Sequence, residues 1–271
     1  MIIQTALENQ QHFVIRQPDH ARMSGQIASA FGGGEFATPD PAELLVHVAG
    51  HHDEGWDKVD NHAKRDARTG LPYHLTQTPL LDIVATGSRT PDFNEWRHPF
   101  CGVISSMHTY GLYHGRYGLS DKIFIDVIPP ELKPKVQAML QGELARQTRL
   151  KDQLRANPAT APWAEDDFLF HHYKLLQFFD TLALYFHMTH AAARGEAIFK
   201  NVPRQLGDDV SVTIRPVGDG VYALAPYPFN HNGLQIWVDG RYIGRLDEAA
   251  NVPDVLRNAP RGRQWMTLVA G

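Results

Sequence analysis

The chain has 271 residues, of which 43% are hydrophobic and 21% charged, with a net charge of −4. That is the balance of a globular domain, and its scattered basic residues give no stripe suited to nucleic acid. No apolar run approaches the ~20 residues of a membrane helix, and Met1–Glu8 lacks the basic-then-apolar pattern of a signal peptide, so a cytoplasmic protein is expected. The single cysteine, Cys101, excludes an internal disulfide and a thiolate zinc cage, whereas 15 histidines favour nitrogen and oxygen ligation.

Residues 1–17 read as a hairpin, with Ile2–Leu7 and His12–Arg16 flanking a turn at Glu8–Gln11. Pro18-Asp19 opens a helix carrying His20, Met23, Ser24, Ile27, Ala28 and Phe31 on one face, and Gly32-Gly33-Gly34 ends it. A second helix runs from Pro39-Asp40-Pro41 to Gly55. Turn formers predict a loop over 57–79 and another through Gly87-Ser88-Arg89-Thr90-Pro91. Residues 101–114 form a helix with Ile104, Met107, His108, Gly111 and Leu112 together. Pro129-Pro130 opens a long polar helix to Ala156, and a last one runs from Asp166 to Gly195. Beyond 205 the pattern changes to short strands at 210–214, 221–224, 234–238 and 264–268. The expected architecture is therefore mainly α: a helical core over 18–204, with a small antiparallel sheet built from 1–17 and 205–271 packed on it.

Four apolar helix faces carry a group that is costly to bury alone: His20, His52 with Asp53, His108, and Asp180. Position 52 continues the Leu45, Val48 stripe, which leaves His51 on the flank. Asp180 is surrounded in sequence by Leu176, Phe178, Phe179, Leu182 and Leu184, and a buried carboxylate there needs a proton or a cation. A lone histidine on such a face is more often a hydrogen-bonded core residue. Several such groups on separate helices favour a shared divalent ion, one or two of iron, manganese or zinc. Glu54 is a candidate general acid or base, and Arg22 and Lys58 are candidates for phosphate oxygens, as are Lys64, Arg65 and Arg116. No serine elbow and no phosphate-cradling glycine loop is present.

In the order His20, His52-Asp53, Asp180 the chain resembles the HD-domain superfamily of helical, metal-dependent phosphohydrolases. The resemblance implies a metal held by these four residues, and His108 looks like the additional histidine of its two-metal members. More narrowly, Gln17-Pro18-Asp19-His20-Ala21, His52-Asp53-Glu54-Gly55-Trp56, Ser106-Met107-His108 and Pro226-Tyr227-Pro228-Phe229 are similar to a bacterial family of unknown function. The function expected is hydrolysis of a small phosphorylated substrate, with His108 serving a second metal or proton transfer. The alternatives are a dinuclear-iron oxygenase of the same type and a non-catalytic, metal-stabilised binding protein.

Overall fold

The structure, a computed structural model, describes residues 1–271. In chain order it contains β1 (Ile2–Ile3), β2 (His12–Ile15), α1 (Gln17–Ala30), α2 (Ala42–Gly50), α3 (Asp57–Asn61), α4 (Leu80–Arg97), α5 (Pro99–Tyr113), the single turn α6 (Gly115–Gly118), α7 (Lys133–Ala156), α8 (Asp166–Met188), β3 (Ala197–Gln205), β4 (Asp208–Gly218), β5 (Val221–Ala225), β6 (Leu234–Ile243), α9 (Val252–Asn258) and β7 (Arg261–Ala270). No helix is long and apolar enough to cross a membrane.

The expected mainly α class with a small antiparallel sheet is corrected by this arrangement. The chain is 50% helix and 20% strand, and its seven strands form one large, mixed sheet curled like half a barrel. Their order is β1-β2-β6-β7-β5-β4-β3. All neighbours are antiparallel except β5 and β7, which run parallel with Tyr222 opposite Leu268. A parallel pair needs a crossover, and the chain supplies it through β6 and α9. β3, which the sequence reading placed at the end of the helical stretch, begins at Ala197. Its mixed run Ala197-Ile198-Phe199-Lys200-Asn201-Val202-Pro203-Arg204-Gln205 interrupts strict alternation, and the register shifts between Phe199 and Val202 account for it.

Helices and sheet share one core. A cluster of 40 buried residues runs from Ile27, Leu45, Ile104 and Phe179 on the helices to Ile214, Ile236 and Leu268 on the strands. α1 is also clasped to the sheet by polar contacts: the Gln26 amide donates to Trp237 O at 3.1 Å and accepts from Trp237 N at 3.0 Å. α1 crosses α2 where Gly25 meets Gly50, and a Cβ on Gly25 would lie 2.9 Å from Gly50 Cα. Only a bare backbone allows that approach, which sets the chain after α2 beside α1.

The predicted loop at 87–91 is helix, because α4 continues through Pro91. Proline cannot donate to the carbonyl four residues back. Here Thr109 Oγ1 donates to that Gly87 carbonyl at 3.0 Å, so α5 supplies the missing hydrogen bond. The last long helix stops at Met188, short of the expected Gly195, and the polar helix α7 starts at Lys133, three residues after Pro130.

Candidate metal centre

α2 ends earlier than the sequence suggested, at Gly50, and His51 is its C-cap. His52 and Asp53 therefore lie in a turn and not in a helix, and that turn is fixed from three sides. Asn94 Nδ2 on α4 donates to His51 O at 3.0 Å and lies 3.3 Å from Ser105 Oγ on α5. Gly55 N donates to Thr90 Oγ1 at 2.9 Å. A Cβ at Gly55 would be only 2.5 Å from that same oxygen, so the turn presses directly on α4. His52 Nδ1 faces Ala49 O at 2.8 Å. A carbonyl only accepts, so Nδ1 carries the hydrogen, and in the neutral ring the lone pair sits on Nε2.

That Nε2 is buried and has no hydrogen-bond partner. It stands 3.6 Å from Asp53 Oδ2 and 3.6 Å from Asp180 Oδ1. His20 Nε2 from α1 lies 3.1 Å from Asp180 Oδ1 and 4.0 Å from Asp53 Oδ2. The His108 ring on α5 packs edge-on to His52 with centroids 5.2 Å apart. Two sets of donor atoms, His20 with His52 and Asp53, and His52 with His108 and Asp180, each lie within 4.8 Å of one another. Around an ion with bonds of about 2.0–2.2 Å, donor atoms are separated by roughly 3–4 Å. The imidazole–carboxylate separations, from 3.1 to 4.0 Å, match that range, and the unpartnered Nε2 is what an ion would satisfy. These groups could hold a metal.

The electrostatics have the same sense. Burial opposes charge on His52, but Asp53 and Asp180 outweigh it and raise its pKa to about 9. Burial likewise pushes the Asp53 carboxyl up, against the pull of His52 and His20. For Asp180 burial is again the largest influence, yet the His20 and His52 imidazoles hold it well below the usual carboxylate range. Without an ion, the carboxylates thus hold a proton on His52, and a bound cation would take the place of that proton. His108 behaves differently: burial lowers its pKa to about 3, so its imidazole is neutral and keeps a lone pair.

Two residues behind the centre carried no assignment from sequence. His187, two turns beyond Asp180 on α8, places Nδ1 2.9 Å from His20 Nδ1. Burial keeps its pKa well below the ordinary value, so it is neutral and can accept. A hydrogen donated from His20 Nδ1 to His187 leaves His20 Nε2 open toward Asp180, the tautomer a metal ligand needs. Gln177 fills the equivalent place for His108, with its amide 2.8 Å from His108 Nδ1. As placed, Gln177 Nε2 donates to His108 Nδ1 and Gln177 Oε1 is buried without a partner; with the amide turned over, Oε1 would accept from Nδ1–H and His108 Nε2 would carry the lone pair. Replacing His187 with phenylalanine, which keeps the ring but not the acceptor, is expected to weaken metal binding roughly 10- to 100-fold. Titration of the metal against a chromophoric chelator reads this directly, and an unchanged affinity would remove His187 from the site.

The remaining candidates lie outside the ligand cluster. Glu54 Oε2 engages His51 Nδ1 at 2.9 Å, and that hydrogen bond holds its carboxyl below the usual range. Arg22 pairs with Asp19 on the exposed side of α1. Lys58 lines a separate cleft of about 200 Å³ with Lys64, Asp82 and Arg89. Arg65 donates to Leu246 O at 2.9 Å. Trp56 is half-buried. Two histidines not singled out above also lie on these helices or at their ends: His114 stacks on Tyr110, and His172 packs against Phe100 and Phe168. Arg116 is the cation the structure does bring in, with Nη2 3.9 Å from Asp180 Oδ2.

No curated protein and no solved structure matches the chain. The resemblance to the HD-domain superfamily is corrected accordingly: nothing in the comparisons points to that superfamily, and the fold is built around a seven-stranded sheet. A His-Asp dipeptide with a further histidine and aspartate is a short pattern, and the chemistry of a nitrogen- and oxygen-ligand site can produce it on any scaffold with converging helices. Residues 1–245 match the family described as protein of unknown function (DUF3891). The match ends after β6, so α9 and β7, the strand between β5 and β6, lie beyond it. The chain belongs to the DUF3891 family.

Proposed function

We propose that this protein is a hydrolase of a phosphate ester, dependent on one divalent ion held at His52 by ligands drawn from His20, Asp53, His108 and Asp180. The observation that carries the reading is the buried, unpartnered Nε2 of His52 between two carboxylates. Both possible ligand groups use His52. Its other nitrogen is committed to Ala49 O, so Nε2 serves a single ion, which argues for one metal and against a dinuclear centre. The side chain of Asp53 keeps 14% of its surface exposed, which leaves the cluster open to solvent on that side. Structural sites are usually closed, whereas catalytic ones keep an accessible position.

A divalent ion bound there would lower the pKa of a water and stabilise negative charge on a phosphoryl group. The chain's own contributions follow from its geometry. His20 and His52 present Nε2, with their tautomers set by His187 and Ala49 O. Neutral His108 acts as a ligand in this reading, and its low basicity makes it a poor proton carrier. Glu54, next to Asp53 and held ionised by His51, is suited to accept a proton from an incoming water.

Protein purified without added metal is expected to carry one iron, manganese or zinc ion per chain. It should slowly hydrolyse one or more members of a panel of nucleotides, cyclic nucleotides and simple phosphate monoesters, and chelation should stop the reaction. Full metal occupancy with no turnover across that panel would overturn the hydrolase reading.

A further inference from the structure

A cavity of about 390 Å³ opens between α6, α8 and β3, lined among others by Arg116, Gln177, Thr181, Phe178, Phe199 and Lys200. None of the five candidate ligands lines it, but two of its lining residues reach them. Gln177 meets His108 Nδ1 at 2.8 Å, and Arg116 reaches to 3.9 Å from Asp180 Oδ2 while remaining a quarter exposed. No carboxylate lines the cavity. Lys174 on its wall is neutralised by Asp209, with Oδ1 at 2.7 Å.

The backbone that presents Arg116 is unusual. Gly115, Arg116, Tyr117 and Gly118 all have positive φ, of 60°, 51°, 56° and 89°. Two consecutive non-glycine residues in this region carry a steric cost that persists only where the surroundings enforce it. Tyr117 supplies the enforcement, with its ring centroid 5.1 Å from that of Tyr173 and 5.7 Å from that of Tyr110. The turn is anchored by a tyrosine so that its neighbour, an arginine, points at the ligand cluster.

Charge balance gives that arginine a purpose. A divalent ion would be matched by the carboxylates of Asp53 and Asp180, leaving the Arg116 guanidinium without a counter-charge in the lining of a cavity free of acids. We propose that this cavity is the substrate pocket of the metal centre, with Arg116 holding the phosphoryl oxygens of a phosphate ester and Phe178 and Phe199 receiving its apolar organic portion. The two rings, 5.6 Å apart and nearly perpendicular, form one wall. Guanidinium matches phosphate in a bidentate way that an ammonium does not. The proposal rests on the metal-dependent reading above and adds to it the site and class of substrate.

The test is calorimetric titration of manganese-loaded protein with inorganic phosphate and with phenyl phosphate. Both are expected to bind to the unaltered chain, phenyl phosphate more tightly. Arg116→Gln should lose at least tenfold in affinity for both while retaining stoichiometric metal, and Arg116→Lys should recover part of the loss. Ile198→Trp, at the exposed rim of the cavity, should weaken phenyl phosphate and leave inorganic phosphate unchanged. Absence of phosphate binding by the loaded protein, undiminished binding by Arg116→Gln, or loss of metal from both Arg116 variants would each overturn the proposal. Binding of both probes in this pattern without hydrolysis of any ester would support the pocket and defeat the hydrolase reading alone.

Discussion

Asp180→Ala is expected to take the metal content of the purified protein from about one ion per chain to background. Asp180 Oδ1 lies 3.1 Å from His20 Nε2 and 3.6 Å from His52 Nε2, and so touches both imidazoles. Removing it deletes a ligand and half of the negative charge that compensates a divalent ion. Loss of an outer hydrogen-bonding partner alone costs roughly 10- to 100-fold in affinity, so loss of the ligand itself should exceed that. Elemental analysis gives the answer directly, with circular dichroism as the check that the helices remain. A folded Asp180→Ala protein with full metal content would refute the centre as drawn.

Leu268→Asp is expected to abolish folding altogether and, with it, the metal site. Leu268 is fully buried on β7, opposite Leu234 on one neighbouring strand and Tyr222 on the other. An unpaired carboxylate at such a position adds a desolvation penalty to the lost ~1.5–3 kcal/mol of apolar burial. Together these approach the total stability of about 5–15 kcal/mol typical of a domain. Because Leu268 belongs to the same core cluster as Ile27, Leu45 and Ile104, the damage should reach the helices that carry His20, His52 and His108. Leu206→Asp is the control, since Leu206 is 57% exposed between β3 and β4 and should tolerate the charge. A soluble, metal-binding Leu268→Asp protein would mean that the sheet is an independent appendage.

The convergence of these histidines and carboxylates was legible in sequence for a definite reason. His20, His108 and Asp180 are ligand-type groups on otherwise apolar helical faces, and the cost of burying them predicts a shared partner wherever they converge. His52 pointed inward as expected, although a turn and not a helix aims it. His187 and Gln177 were harder to find, because a residue that orients a ligand through its far nitrogen has no pattern of its own. Arg116 stood among five exposed-looking cations, and what singles it out is a backbone conformation that its sequence, between Gly115 and Gly118, only hints at. For the fold, the alternating runs at 210–214 and 234–238 announced strands, yet nothing local says that β5 and β7 lie parallel or that the sheet outgrows an appendage. Pro91 misled for a similar reason: the hydroxyl that compensates it belongs to Thr109, on another helix.

The position of β7 bears on how the protein comes to be made. β1, β2 and β6 lie on one side of it and β3, β4 and β5 on the other, so residues 261–270 join the halves. Until that segment has left the ribosome, β5 and β6 each present an open edge beside buried residues such as Leu224 and Ile236. Unpaired edges of this kind recruit other strands, and non-local pairing is slow. During synthesis the sheet thus cannot close until residues 261–270 insert between two strands translated before them, and those edges need protection while β6, α9 and β7 are made.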